Sequence, residues 1–379
     1  MRNAPRLAAV PAVPVPPAAA ALVGAGLAAR IAARAEAVDA AAAFPADDIA
    51  ELAAEGLLAA VLTPPHGAGV GLATGSVPLL LDLLRTVGAA SLTVGRLVEG
   101  HVNAAKLVAR YGAAAAGALL AAEVAAGRPS GVWNAATGDG LRATRVAGGW
   151  QLDGRKIHCS GAGSLRRPLV TAQAAGEDGP RLFLPDLADP EVAVDLGVWR
   201  ASGMRGTATG TVTFAGVVVP DVGVVGGPGD YYRSPLFSGG AWRVLAVKLG
   251  GLDRIMALTA ERLTRSGRAD DPVIRSRIAA AGYAHEAARL VVAEAAARAE
   301  GDGEPAAIDA YVDMARGGFE EAALAVIATA RRTVGLGSFI APDPLDRVIR
   351  DLETYLRQPF LDASRDHAAG WLLDHGGRM

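Results

Sequence analysis

The chain has 379 residues, 51% of them apolar, and its Lys plus Arg total (37) nearly cancels Asp plus Glu (39), for a formal net charge of −2. Such a length can fill two or three cores, while the charge balance offers no field to draw in nucleic acid or an anionic membrane. The single cysteine, Cys159, excludes an internal disulfide and a cysteine-based metal site, and no metal centre is expected.

Residues 1–17 read as a disordered tail, because four prolines between Pro11 and Pro17 interrupt any apolar core of a signal peptide. No later run is long and charge-free enough to span a bilayer, so a cytoplasmic protein is expected. Residues 18–126 carry helical periodicity, with breaks predicted at Phe44-Pro45, between Pro64 and Gly71, and at Gly112. Asp47 and Asp48 stand where a helix N-terminus favours negative charge. Leu79, Leu80, Leu83, Leu84 and Val87 have the spacing of a buried helix face.

Residues 127–229 carry the β signals. In GGWQLDGRKIHCSGAG, residues 148–163, a hairpin signal at Gly148-Gly149 precedes alternating Trp150 and Leu152. A turn is predicted at Asp153-Gly154, then a second strand ending in Ser160-Gly161. Cys159 reads as a small packed side chain. In ASGMRGTATGTVTFAGVVVP, residues 201–220, Val212 and Phe214 alternate in a strand that stops at Pro220. Residues 230–379 return to helical periodicity, with long helices predicted over 273–300, 306–334 and 345–356. The expected fold class is α+β: a helical domain, a small middle β-barrel or sandwich and a C-terminal four-helix-type bundle, with a ligand at their junction.

Five segments occur in an order that resembles the acyl-CoA dehydrogenase superfamily. They are Leu62-Thr-Pro-Pro-His-Gly-Ala-Gly-Val-Gly71, Gly154-Arg-Lys-Ile-His-Cys-Ser160, Gly203-Met-Arg-Gly-Thr207 with Val217-Val-Val-Pro220, Gly335-Leu-Gly337, and Arg347-Val-Ile-Arg-Asp351. The resemblance implies FAD held between the β domain and the bundle of a homodimer or homotetramer. It places Ser160, with Gly161, near flavin N5, and Trp133 and Asn134 on the other flavin-contacting strand. By the same resemblance Arg205, Thr207, Gly335 and Gly337 belong to the cofactor site. An isoalloxazine needs a flat slot and hydrogen bonds to N5 and its pyrimidine edge, which strand backbone and a short hydroxyl can supply.

Oxidation of an acyl thioester also needs a carboxylate base with a raised pKa in a dry pocket. The family's usual position after R-x-x-R-D holds Gln358 and Pro359 here, and its alternative position falls in Gly239-Gly-Ala-Trp-Arg243, with no acid. Three readings follow. Glu353 or Asp362 serves, although an ion pair with Arg350 is the plainer role for Glu353. Alternatively His101 or Glu99 supplies the base. In the third, the reaction is not dehydrogenation. A flavin monooxygenase branch of the superfamily lacks the glutamate and carries a Ser-Gly pair at the strand end, where Ser160, His101 and Gln358 would act. The segment Arg262-Leu-Thr-Arg-Ser-Gly-Arg268 offers arginines to the cofactor diphosphate but lacks the family's Phe-Gly. The sequence thus predicts an FAD-dependent oxidoreductase that by default oxidises the CH–CH bond of an acyl thioester or similar small molecule, with a reduced-flavin monooxygenase of the same fold as the alternative. Its electrons pass to an acceptor flavoprotein or, in the oxygenase reading, come from a flavin reductase. A non-catalytic scaffold member is the third alternative.

Overall fold

The computed structural model describes residues 22–72, 74–357 and 359–379. The tail expected over residues 1–17 and the site residue Gln358 lie outside the described residues. Helices α1 (Ala25–Ala41), α2 (Ala46–Ala54), α3 (Leu57–Ala60), α4 (Val77–Ala90), α5 (Leu92–Tyr111) and α6 (Ala114–Ala125) precede the sheet. Breaks fall at Pro45, over the Pro64 to Gly71 region and at Gly112, as the sequence indicates. Ser91 adds another that apolar periodicity does not signal. Its backbone is extended and its Oγ accepts from Val94 N at 3.4 Å, so a side-chain cap separates α4 from α5. Asp48, in the first turn of α2, is buried and paired with Arg34 at 2.6 Å. Leu80, Leu83, Leu84 and Val87 are fully buried, with Leu79 at the edge of that face.

The strands are β1 (Val132–Trp133), β2 (Leu141–Val146), β3 (Gly149–Cys159), β4 (Leu169–Ala174), β5 (Arg181–Phe183), β6 (Val192–Asp195), β7 (Gly210–Pro220) and β8 (Val224–Val225). They form one sheet in the order β6-β7-β3-β2-β4-β5-β8, with β1 added parallel to β4. Gly148 closes the β2–β3 hairpin with φ 76°. The turn expected at Asp153-Gly154 is absent, because β3 runs unbroken past it. The ladder to β7 instead shifts register between Leu152 and Asp153, where Leu152 faces Val217 and Asp153 faces Ala215. Gly216, at φ 85°, is the extra residue of that bulge.

The bundle comprises α7 (Leu236–Gly239), α8 (Ala241–Arg265), α9 (Pro272–Ala299), α10 (Pro305–Val334), α11 (Pro344–Leu356) and α12 (Leu361–Asp374). Helices α9, α10 and α11 each begin with proline behind an acidic cap. The carboxylates of Asp271, Glu304 and Asp343 accept from amides of the first turn. Proline lacks the N–H that would be orphaned there, so the Asp-Pro and Glu-Pro pairs set the helix starts.

The apolar interior divides in two. The N-terminal helices and the bundle share one core, including Leu84, Leu92, Trp242, Leu252 and Phe319. The sheet has its own, around Trp133, Leu152, Val170 and Phe214. Helices α4 and α8 join the first core nearly backbone to backbone. A Cβ on Gly250 would stand 2.0 Å from Arg85 O, and one on Gly88 2.2 Å from Val247 O. Gly250→Ala is expected to cost about 1–3 kcal/mol by forcing these helices apart. Urea unfolding checks this, and an unchanged midpoint contradicts the close approach.

Candidate functional site

The end of β3 and the loop leading into β7 make the most constrained part of the sheet. Between Lys156 and Cys159 the ladder shifts again, Lys156 facing Val212 and Cys159 facing Gly210. Ile157 and His158 thus oppose a single β7 residue, and His158 takes φ 54°. Met204 and Ala208, in the loop before β7, also have positive φ, at 55° and 44°. Non-glycine residues in this region are strained, and such strain gathers where a precise surface is needed. The bulge turns His158 outward. A recess of ≈ 410 Å³ opens beside it, lined by Ile157, His158, Trp199, Thr209 and Thr211 among others.

Hydrogen bonds fix this wall. Trp133 is buried and its Nε1 donates to Ser160 O at 3.1 Å, tying β1 to the strand end. Gly161 N donates to Thr207 O at 2.8 Å. Thr207 Oγ1 donates to Met204 O at 2.8 Å, which leaves Thr209 Oγ1, 2.8 Å away, to donate to it; the half-buried Ser160 Oγ stands 3.4 Å beyond Thr209 Oγ1. The row of hydroxyls ends on Ser160, the member of the three that is only half-buried. Trp199 Nε1 also donates to Met204 O, at 3.0 Å.

Behind the wall, Lys156 Nζ donates to Asn134 O at 3.0 Å and to Thr171 Oγ1 at 2.8 Å. Burial pushes its amine down to about 8. Asn134 Oδ1 accepts from Thr171 Oγ1 at 2.8 Å and from Tyr232 OH at 2.9 Å, linking the sheet to the segment that leads into the bundle. Cys159 faces the sheet core, and burial pushes its thiol up to about 12, so it is an inert packed group.

The loop before β7 is also clamped to the bundle. A Cβ on Gly203 would stand 2.0 Å from Arg350 O, and Met204 N donates to Asp351 Oδ1 at 2.6 Å. Burial raises the Asp351 carboxyl to about 6.

The structure therefore gathers Trp133, Ser160, Gly161 and Thr207 in one place, with Asn134 one hydrogen-bonded layer behind. Arg205 lies in a separate recess, beside Asp39, Asp343 and Arg347. Gly335 and Gly337 flank the end of α10, where a Cβ on Gly337 would meet Arg262 Nη2 at 2.4 Å. Arg262 is held by Asp343 at 2.6 Å, and Arg268 donates to Thr333 O at 3.0 Å.

His101 is 1% exposed and both ring nitrogens have backbone partners: Nδ1 accepts from Ser130 N at 3.1 Å, and Nε2 stands 2.9 Å from Leu58 O. That arrangement fixes a neutral ring, which burial also favours by lowering its pKa, and leaves neither nitrogen for a substrate. Glu353 pairs with Arg331 at 3.0 Å, in place of the expected Arg350, which binds Asp346 and Asp39 instead. Asp362 is exposed. Glu99 is buried but accepts from Arg96 and Asn103. Thr209, Trp199 and the bulged His158 are wall residues that the sequence reading omits. The Thr207-x-Thr209 pair was the available signal, two hydroxyls that the turn at Ala208 brings to 2.8 Å.

No helix among the described residues is long and apolar enough to cross a membrane, and no His, Cys, Asp or Glu cluster among them could hold a metal ion.

The family described as acyl-CoA dehydrogenase, C-terminal domain, matches residues 248–359. No curated protein matches the chain. Among solved structures, it is similar to dibenzothiophene monooxygenase (TdsC) from Paenibacillus sp. A11-2, at 21% identity and TM-score 0.81 over 92% of this chain and 96% of that one. TdsC has also been solved with FMN bound. Glutaryl-coenzyme A dehydrogenase in its glutaryl-CoA complex is similar at 20% identity and TM-score 0.79, over 93% and 95% of the two chains. The nitrososynthase from Micromonospora carbonacea var. africana is similar at 22% and 0.76, over 93% and 94%. At such identities the likeness establishes the fold, as the order of helices, sheet and bundle does independently. The chain therefore has the fold of the acyl-CoA dehydrogenase-like proteins, and residues 248–359 of its bundle match that family's C-terminal domain.

Proposed function

We propose that the chain is a flavin-dependent oxidoreductase of the oxygenase type, which accepts reduced flavin from a partner reductase and oxidises a small molecule. The observation that carries this reading is the row of hydroxyls Thr207, Thr209 and Ser160 on a strained strand end. Its residues fit a flavin, FAD or FMN. Ser160 offers a short hydroxyl beside Thr209, which lines the recess, and Trp133 and Gly161 lock the backbone around it. A bound flavin would supply electron transfer. Ser160 would hold its ring by a hydrogen bond, and Thr209 would orient the Ser160 hydroxyl. A homo-oligomeric, cytoplasmic protein fits this use.

Dehydrogenation of an acyl thioester is the weaker reading, because its base must be a carboxylate free to take a proton. Among the described residues, Glu353 and Glu99 are committed to cations, and Asp362 faces solvent. Titrating oxygen-free, flavin-loaded chain with butyryl-, octanoyl- and glutaryl-CoA separates the two. Unchanged flavin absorbance is expected, with reduced flavin reoxidised by oxygen at a rate the protein alters. Bleaching by any acyl thioester overturns the oxygenase reading. Ser160→Ala is expected to weaken flavin binding about tenfold through loss of one hydrogen bond, with Tm unchanged. Equal affinity by fluorescence quenching would remove the flavin from this wall.

A further inference from the structure

We propose that the recess between α1, residues 202–205 and the start of α11 binds a small oxyanion, phosphate or carboxylate, bearing a hydroxyl or amino group a few atoms away. This site is separate from the recess at the end of β3 and does not depend on the flavin reading. Its volume is ≈ 380 Å³, and Glu36, Asp39, Arg205, Asp343, Arg347 and Arg350 supply its charged lining. Pockets of a few hundred Å³ with convergent polar groups suit small molecules.

Three guanidinium groups and three carboxylates meet here, but the protein does not pair them all. Arg350 is used up by Asp39 and Asp346, each at 2.8 Å, and by Ser202 O at 2.6 Å. Asp343 caps α11 and holds Arg262. That leaves two cations. Arg205 makes no hydrogen bond or ion pair with any described residue. Arg347 is only 9% exposed, its Nε is buried without a partner, and its ion-pair oxygen on Asp351 stands 3.8 Å away. Opposite them, Asp39 Oδ1 is buried without a partner, and Glu36 has no ion pair among the described residues.

Folded proteins rarely leave such groups unsatisfied, and a missing ion or ligand is one reason they do. Two guanidinium forks suit an oxyanion, to which each can donate two parallel hydrogen bonds. Asp39 Oδ1 and Glu36 can only accept, so the same ligand must bring a donor to that side. A bare anion would leave them unsatisfied and would meet their negative charge. Arg205 also belongs to the loop that carries Thr207, so the recess backs onto the segment that orders the wall.

Isothermal titration of the purified full-length chain tests the site with three probes: inorganic phosphate, glycerol 3-phosphate and L-serine. Glycerol 3-phosphate or L-serine is expected to bind in the sub-millimolar range and more tightly than inorganic phosphate; which of the two binds identifies the oxyanion. Arg205→Gln, which breaks no hydrogen bond or ion pair among the described residues, is expected to weaken binding at least tenfold with Tm unchanged. Arg347→Lys keeps the charge but loses the fork and should weaken it as well. Should that variant not fold, Arg205→Gln decides alone. The site is overturned if neither glycerol 3-phosphate nor L-serine binds, if inorganic phosphate binds as tightly as both, or if Arg205→Gln binds like the parent. Flavin affinity measured on the same preparations shows separately whether the other reading stands.

Discussion

Glu300→Gln is expected to destabilise the chain by about 3–5 kcal/mol, the cost of leaving buried cations without their counter-charge. Glu300 ends α9, where Oε2 accepts from Lys106 Nζ at 2.8 Å and Oε1 accepts from Arg243 Nη1 and Trp242 Nε1, each at 3.0 Å. One carboxylate therefore serves two cations and an indole contributed by α5 and α8. Arg243 is 7% exposed and also donates to Asn103 Oδ1. Asn103 in turn donates to Glu99, which is fully buried and faces Arg96. The amide of glutamine keeps the size of the side chain and one acceptor, so a large loss reports the missing charge and not a cavity. Urea unfolding of the two proteins at pH 7 measures it. A loss below about 1 kcal/mol, as for surface ion pairs, would mean that water reaches this cluster.

That cluster was invisible in the sequence, and the reason is physical. Glu99, Arg243 and Glu300 come from three helices far apart in the chain, and apolar periodicity says nothing about which polar residues on a buried face will meet. Helix starts were easier to read, because proline and its acidic cap act within four residues; α9, α10 and α11 each begin at the proline one residue before the predicted start. The strand end at Ser160 was legible for the same local reason. The bulges were not. One inserted residue, Gly216 or His158, hardly alters the alternation but decides which side chains face the recess. His101 misled because a histidine in a polar motif looks chemical, whereas its partners here are backbone atoms of Leu58 and Ser130, remote in sequence. The oxyanion recess drew on residues near 36, 205 and 347, which only the fold brings together.

Lys248→Met is expected to stabilise the chain at pH 7 by about 1–4 kcal/mol, the range seen when buried charges give way to apolar side chains of similar volume. It should also flatten the dependence of stability on pH. Lys248 lies mid-α8, 4% exposed, with Nζ 5.2 Å from the Tyr355 ring centroid and no hydrogen bond to any described residue. Glu99 and Glu320 favour its charge, Arg316 and Arg357 oppose it, and burial outweighs all four, pushing the amine down to about 7. The unfolded chain keeps a lysine near its ordinary value, about 10.4. Between pH 7 and that value the unfolded state therefore holds a proton that the folded state has shed, so stability rises with pH. The limiting slope is about 1.4 kcal/mol per pH unit for one such group. Lys156, pushed down to about 8, adds the same sign above that pH. Cys159, pushed up to about 12, acts oppositely once an unfolded thiol begins to ionise near pH 8.5, so the comparison is made at pH 7–8.5, where Lys156 contributes equally to parent and variant. Urea midpoints at pH 7.0, 7.5, 8.0 and 8.5 should climb in the parent chain and climb much less in Lys248→Met, while Lys248→Arg, which cannot shed its proton, should be the least stable of the three. Parallel curves for parent and Lys248→Met would show that this amine stays charged inside the bundle, held by a partner the fold supplies.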